Sequence, residues 1–438
     1  MRLFLRSSIN SRMMVALVCT AFLLAGSMCA QAQDTVPTVE QLTGGKVKLG
    51  DVIDKTNVDL VKEHLSVGTY ECVQRGMKLI MGEHLPLDKL IPAYFREATE
   101  KNKGKATIDE NGTVYLADGS IWPGGLPFSE PKTALEVMAN LKYGQAADDV
   151  GFSKQWLSFV NEEGKIYKTF QQYVTYVLMS HRLSCDPLGA YPGCEKENFR
   201  RIQSFRSPQD MKGLGQFSIR YYDDTKMIDT GFAYLPAFKR SLRVSSNTWQ
   251  DNIGGADILY CDAAGVNDPF SYWDYKLIGK KYIFTTATKA PGSENDSSPY
   301  SNAEGHFDTK SVTFDGGDKF PRVHWALTPV FVVEGTPRGE HVYGKRVIYV
   351  PAPPFWIPWF QTLAMDIYDQ QMKIYKAFIP WLGGTLSKDG QNYAQWYGFD
   401  MYDLQTGHSS RIFAESAAYN SCANGRNYSL QMLLEGGK

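Results

Sequence analysis

The feature that most constrains the fold is a succession of short runs, beginning near Lys165, in which apolar and polar residues alternate with period two. Tyr167, Phe170, Tyr173, Tyr176 and Val177 are interleaved with Gln, Thr and Lys. Similar runs follow at 217–221, 231–235, 241–244, 272–277, 282–286, 330–334, 345–350 and 372–376. Side chains alternate across a strand, so each run places an apolar row on one face. Gly, Pro, Asn and Asp separate the runs, as turns require. The 25 Tyr, 23 Phe and 9 Trp, beside 39 Gly and 21 Pro, fit many strands joined by turns better than a helical bundle. The expectation is a large antiparallel sheet with one face covered. No 20–50-residue repeat is visible, which argues against solenoids and propellers. A lipid-facing barrel is disfavoured, because the runs are irregularly spaced, Arg220, Arg243 and Lys345 recur within them, and residues 433–438 form no aromatic strand.

The N-terminus reads as an export address. Arg2, Arg6 and Arg12 precede an apolar run at 13–25, and Ala30-Gln31-Ala32 is a small-x-small cleavage site. Residues 1–32 are therefore expected to be a signal peptide, and the mature chain to start at Gln33. No later apolar run is long enough to cross a bilayer. The 46 Lys+Arg against 47 Asp+Glu leave a net charge of −1, so no large single-sign field exists to grip nucleic acid. Cys19 and Cys29 would leave with the signal, so five of the seven cysteines remain. Cys185 and Cys194 bracket a turn-rich loop and read as a local disulfide in an oxidising compartment. Cys72, Cys261 and Cys422 are left without an assigned partner. Zinc would need two further nearby ligands that the sequence lacks, so no metal is expected.

Within the mature chain, 33–160 reads as a helical, loop-rich portion and 161–438 as the sheet domain. Pro131, a capping Thr133 and the stripe Leu135, Val137, Met138 and Leu141 predict a helix there. The search for chemistry finds no His-Glu-x-x-His, Gly-x-Ser-x-Gly, Walker loop or dinucleotide fingerprint. The seven histidines are scattered, with no pair at ligand spacing. No catalytic residue or cofactor is predicted, and a hydrolase triad assembled in space is the enzymatic alternative. Asp315-Gly316-Gly317-Asp318 reads as a tight turn rather than a Ca²⁺ loop. Two constellations are more telling. In Tyr234–Val244 a Pro turn precedes basic residues that alternate with apolar ones. In Pro351–Phe360 four prolines accompany Phe355, Trp356, Trp359 and Phe360, which rules out a sheet interior. That segment is either a stiff loop packed on a core or an apolar lip at a cavity or membrane surface.

Through these blocks the chain resembles a family of bacterial periplasmic proteins of undefined function, similar to outer-membrane lipoprotein-sorting proteins. The family's Tyr-Leu-Pro turn with alternating arginines resembles Tyr234–Val244, and its Trp-Lys-Leu-x-Gly-Lys-Lys element resembles Trp273–Lys281 with slight respacing. A further block is similar to Val332-Val333-Glu334 followed by His341–Tyr349. Upstream, Glu97–Lys101 and Gly125–Phe128 also resemble family elements. The Pro-aromatic segment is a departure, standing where the family often has an acidic stretch with Trp.

The resemblance implies an α+β fold dominated by antiparallel sheet, a strongly curved half-open β-barrel of LolA/LolB type with helices plugging its concave face. It implies a non-enzymatic periplasmic carrier or chaperone for a lipid or other hydrophobic molecule, beside a resistance-nodulation-division type exporter and with peripheral contact to the outer membrane. Such a cavity would stabilise its guest by about 25 cal/mol per Å² of apolar surface buried. The candidate lining is Phe232, Tyr234, Trp273, Trp325, Phe331, Val333, Tyr343 and Tyr349. Lys239, Arg240, Arg243, Lys345 and Arg346 are candidates for an anionic head group or acidic partner, and Phe355, Trp356, Trp359 and Phe360 for the lip. The alternative is an adaptor of an envelope transporter that binds no ligand, which a cavity filled by the protein's own side chains would favour.

Overall fold

In the computed structural model the alternating runs become the strands of one 15-stranded sheet. The structure describes residues 36–84, 91–227, 229–244, 248–263, 265–286, 288–289, 312–353, 362–386 and 391–436. Residues 1–32, the expected signal peptide, lie outside them. The strands are β1 (Val52–Ile53), β2 (Leu79–Met81), β3 (Asp149–Val160), β4 (Ile166–Leu178), β5 (Glu197–Ser207), β6 (Gly215–Tyr221), β7 (Thr230–Leu235) and β8 (Arg240–Val244). They continue with β9 (Trp273–Thr285), β10 (His324–Pro337), β11 (Lys345–Pro351), β12 (Ala364–Tyr368), β13 (Ile374–Leu386), β14 (Asn392–Asp403) and β15 (Ser409–Tyr419).

β3 to β8 form one antiparallel meander and β9 to β15 a second. The last strand of the second pairs with the first of the first, Ser409 to Tyr419 opposite Val160 to Val150. β9 and β8 thus stand at the two ends, and the curved sheet is not closed into a barrel. β1 and β2 attach through a short parallel contact between β2 and the start of β10. Register shifts at Leu277/Gly279 and Trp381/Leu382 mark bulges, which bend strands and favour curvature. Residues Thr38–Lys438 form one compact unit, and the expected boundary at 160/161 falls at the turn between β3 and β4.

Strand parity sorts the cores. Phe170 of β4, Phe205 of β5, Val333 of β10, Met365 of β12 and Phe378 of β13 meet in one cluster although their strands are far apart in the sheet. That shared face is therefore the concave one. On the other face, Ala377 and Ile379 meet the N-terminal segment through Val58, Val73 and Leu79, while Val177 and Ile202 meet Tyr428 and Leu433. The single covered face expected from the alternation is thus corrected. Both ends of the chain return to cover parts of the second face, because its rows also carry apolar residues.

Three helices matter for this packing: α1 (Val67–Gln74), α2 (Ala134–Tyr143) and α3 (Leu430–Gly436). α2 is the helix predicted from sequence. Its Thr133 Oγ1 accepts from the Glu136 amide at 3.2 Å, and Glu136 Oε2 accepts from the Thr133 amide at 3.3 Å. α1 is seated on Asp366 of β12, whose carboxylate accepts from the amides of Val67 at 2.9 Å and Gly68 at 2.8 Å. A Cβ at Gly68 would stand 2.5 Å from Ala377 Cβ, so the close approach of helix and sheet requires glycine. The Asp315–Asp318 segment is the tight turn expected: Gly316 and Gly317 adopt φ of 62° and 73°, and Asp315 pairs with Arg322.

The local disulfide is corrected as well. Cys185 is bonded to Cys422, with the Cα atoms 5.1 Å apart, and Cys194 is free. Two adjacent carboxylates bring the bonded pair together. Asp148 accepts from the amides of Leu183, Ser184 and Cys185 at 2.9, 2.7 and 2.6 Å. Asp149 accepts from the Ser421 amide at 3.0 Å and the Ser421 hydroxyl at 2.6 Å. The buried Arg182 fills the 185–194 loop by donating to the carbonyls of Cys185 and Pro187, both at 3.0 Å.

Candidate functional site

The connection from β8 to β9 crosses the concave face. Its described residues, 248–263 and 265–272, contribute Trp249, Ile253, Ile258, Leu259 and Phe270 to the core formed by both meanders. Their helical structure is three single 3₁₀ turns, Thr248–Gln250, Tyr260–Asp262 and Phe270–Tyr272. The segment closes turns of its own, the amides of Ile253 and Tyr260 donating to the carbonyls of Ile258 and Asp251, and the sheet supplies further partners. Ser410 Oγ accepts from the Asp257 amide at 2.9 Å, and Lys376 Nζ donates to the Asp257 carbonyl at 2.5 Å. α2 adds Val137 and Met138. The plug expected from helices is therefore shared between α2 and this crossover.

A charged cluster fastens the crossover. Arg346 of β11, only 1% exposed, donates through Nη1 to both Asp268 oxygens at 2.9 Å. Its Nη2 reaches Cys261 Sγ at 3.0 Å and Asp262 Oδ1 at 3.2 Å. Trp273 Nε1 donates to Asp268 and the Tyr343 hydroxyl to Asp262, both at 2.7 Å. The guanidinium also lies over the Trp273 ring at 4.5 Å. Burial pushes the Asp268 carboxyl up. The Arg346 charge, with His341 and Trp273, overcomes this and holds it below the usual carboxylate value. His341 stacks on Trp249 at 5.3 Å and accepts from the Tyr343 amide through Nδ1 at 2.9 Å. Its proton therefore lies on Nε2, 3.7 Å from Asp268.

Cys261, Asp268 and His341 have potential ligand atoms within 4.8 Å of one another. They do not fit a cation, because the Arg346 guanidinium already contacts both Cys261 and Asp268. Nor does the trio form an activated thiol. Burial pushes the Cys261 thiol well up, and the basic nitrogen of His341 is taken by a backbone amide. A hydroxyl–imidazole pair, Ser180 Oγ and His181 Nδ1 at 3.1 Å, is fully buried, and burial lowers the His181 pKa to about 3.

Three cavities found among the described residues are small. A cavity of about 70 Å³ lies among α2, β4–β6 and the crossover, with Lys142, Arg220, Asp224, Asp268 and Phe270 in its wall. Two others of about 40 and 30 Å³ share Arg201. Small-molecule sites typically offer roughly 300–1,000 Å³, so these hold no acyl chain as they stand. Their walls combine apolar and polar groups. Gln203 donates to Gln172 and Gln172 to Gln155, each at 2.7 Å, across the inward rows of β5, β4 and β3. Among the described residues, the crossover lies on the concave face to which the sequence assigns the apolar cavity.

The predicted lining residues separate by strand parity. Trp273, Val333 and Tyr343 are buried in the concave core and Phe331 packs against it, whereas Tyr349 has the opposite parity and donates to Asp366 at 2.9 Å on the face that seats α1. Trp325 belongs to the core formed with the N-terminal segment. Phe232 and Tyr234 pack on the outer face beside Leu430 and Leu433 of α3. Arg346 is committed to Asp262 and Asp268, and Lys345 pairs with Glu334 at 3.2 Å, so neither is left open for a head group. Lys239, Arg240 and Arg243 are exposed along the edge hairpin, beside Phe238 at 71% exposure. Phe355, Trp356, Trp359 and Phe360 lie outside the described residues. Sequence reasoning missed the acidic half of the cluster, Asp262 and Asp268, and the inward-facing Arg201. Their one signal is that carboxylates and an arginine recur in stretches that also carry buried aromatics.

The family of proteins of unknown function DUF1329 matches residues 52–431. No curated protein matches the chain. Among solved structures, a domain described as an outer membrane lipoprotein-sorting protein from Vibrio parahaemolyticus is 15% identical, with a TM-score of 0.45 over 68% of this chain and 97% of that one. A DUF1329 protein from Desulfovibrio piger is 16% identical, with a TM-score of 0.43 over 66% and 93%. A LolA superfamily protein from Nitrosomonas europaea is 10% identical, with a TM-score of 0.38 over 69% and 100%. Among the described residues no helix is long and apolar enough to cross a membrane.

Proposed function

The chain belongs to the family of proteins of unknown function DUF1329, and from that premise we propose that it is a periplasmic carrier or chaperone for a lipid or other hydrophobic molecule, folded here in its closed state. The observation that carries this reading is the cover of the concave face: a turn-rich crossover of the same chain lies there, tied to the sheet by discrete polar contacts. Withdrawing it would uncover Phe152, Met365, Phe378 and Phe399 as an apolar trough. Each methylene moved from water onto such a surface contributes about 0.8 kcal/mol, so a long acyl chain offers on the order of 10 kcal/mol against the cost of release. The ligand would then replace the crossover's apolar side chains. An envelope exporter of the resistance-nodulation-division type would be the donor or acceptor.

The test is a locked variant. Asp257 and Ser410 are in contact, so D257C/S410C should tie the crossover to β15 once oxidised. The wild-type mature protein should carry extractable lipid by native mass spectrometry and take up a fluorescent fatty acid. The oxidised variant should take up at least tenfold less, and reduction should restore uptake. Equal uptake by the locked form would reject the moving crossover. A wild-type protein that neither carries nor takes up any apolar molecule would instead support the adaptor reading, which the filled interior favours.

A further inference from the structure

We infer that Arg201 is the recognition site for a carboxylate on the ligand, an inference that rests on the carrier reading and narrows it to anionic amphiphiles. Arg201 lies on the inward row of β5, opposite in parity to Ile202, which joins the outer cluster. Its residue exposure is 6%, so it is more than nine-tenths buried. Nη2 donates to Gln216 Oε1 at 2.8 Å and the guanidinium lies 5.6 Å from the centre of the Tyr260 ring. Nε has no acceptor. No carboxylate among the described residues pairs with it. The neighbouring interior cations differ: Arg220 is matched by Asp229 at 2.7 Å, Lys142 by Asp224 at 3.1 Å and Arg346 by Asp268 at 2.9 Å. A buried cation without a counter-ion costs stability. Here the uncompensated charge faces two cavities rather than solid packing.

The cavity of about 40 Å³ has room for a small oxygen group and is ringed by further donors: the Gln216 amide, the hydroxyls of Ser218 and Thr248, and Asn267. Asp229 lines the same cavity, so a dianion would meet a carboxylate there. A single negative charge suits the site, and the arginine fork matches the two oxygens of a carboxylate. Tyr260 and Trp249 of the crossover form the opposite wall, so the apolar tail would leave towards the trough that the crossover covers.

Isothermal titration of the mature protein with dodecanoate, dodecanol and acetate at pH 8 separates the two layers of the argument. Wild type should bind dodecanoate at least tenfold more tightly than dodecanol, and Arg201→Gln should make the two equal while leaving dodecanol binding unchanged. Without ligand, R201Q should melt no lower than wild type, an outcome opposite to that of a purely structural arginine. Equal wild-type affinity for dodecanoate and dodecanol would overturn the arginine site and leave the carrier standing. Acetate that shifts the Arg201 Nε–H resonance, with neither twelve-carbon ligand bound, would uphold the anion site and reject the carrier. No response to any of the three would overturn the site. Should R201Q fail to fold, the wild-type dodecanoate/dodecanol ratio and the Nε–H resonance decide the question alone.

Discussion

Replacing Arg346 by Met keeps an unbranched apolar stem but removes the guanidinium over Trp273 and, among the described residues, the only cation that touches both Asp262 and Asp268. Both carboxylates are fully buried. Removing one partner of a buried ion pair typically costs about 3–5 kcal/mol, because the remaining charge is left without compensation. Here two carboxylates lose the same partner. Unfolding entropies near 2.1 cal/mol/K per residue give about 0.8 kcal/mol/K for the roughly 400 residues of Thr38–Lys438. The melting temperature should therefore fall by about 4–6 °C in differential scanning calorimetry at pH 7. Asp268 makes the effect depend on pH. Its folded pKa is depressed, so its contribution is present above the unfolded carboxylate value and is lost as pH falls through the folded one. The gap between wild type and R346M should therefore narrow in acid. A triple variant, R346M/D262N/D268N, should recover most of the loss, since a neutral cluster leaves no bare charge. An R346M protein melting within 1 °C of wild type, or a triple variant no better than the single one, would refute the view that this ion cluster fastens the crossover.

Two further predictions address the frame around the site. Non-reducing peptide mapping should recover Cys185 linked to Cys422 with Cys194 alkylatable, and Cys422→Ser should lower stability by about 2–5 kcal/mol for a cross-link spanning so many residues; a Cys185–Cys194 peptide would contradict the pairing. Burial raises the Asp400 carboxyl to about 6 against the opposing pull of Arg411, so the folded protein binds this proton more readily than the unfolded chain. Relative to Asp400→Asn, wild type should gain stability as pH falls from 7 through about 6 towards 4, and parallel denaturation curves at the two ends of that window would count against it.

Much of the sheet was legible because the information is local. A period of two over five to ten residues sets the face of each strand, and Gly, Pro and Asn set the turns. The helix at Ala134–Tyr143 was legible for the same reason, since Thr133 and Glu136 are three residues apart. What was not legible depends on contacts distant in sequence. Asp148 and Asp149 steer Cys185 to Cys422 across 237 residues, and no local spacing announces that, whereas Cys194 stands temptingly close. Phe232 and Tyr234 look like cavity lining, but one step of parity turns them outward to α3. Only the tertiary fold shows which row of β7 faces inward.

The same parity explains why the interior is charged. The inward rows of β4 to β6 carry Gln172, Arg201, Gln203, Gln216, Ser218 and Arg220, whereas the inward rows of β11 to β14 carry Ile348, Met365, Phe378 and Phe399. The side formed by β4 to β6 is thus richer in polar groups, although Phe170, Phe199 and Phe205 stand on it and Arg346 and Lys376 stand opposite, and the crossover meets both sides: Asn267 and Ile253 line the cavities of the first, while Asp262 and Asp268 bind Arg346 of the second. A core built only for stability gains little from polar side chains, since each must be paired to offset its desolvation. A trough for an amphiphile needs this division, because head group and tail require different walls. The crossover then resembles a tethered substitute for such a molecule, amphipathic along its own length. Its release and the binding of a ligand become two sides of one exchange, in which most buried contacts are replaced rather than lost.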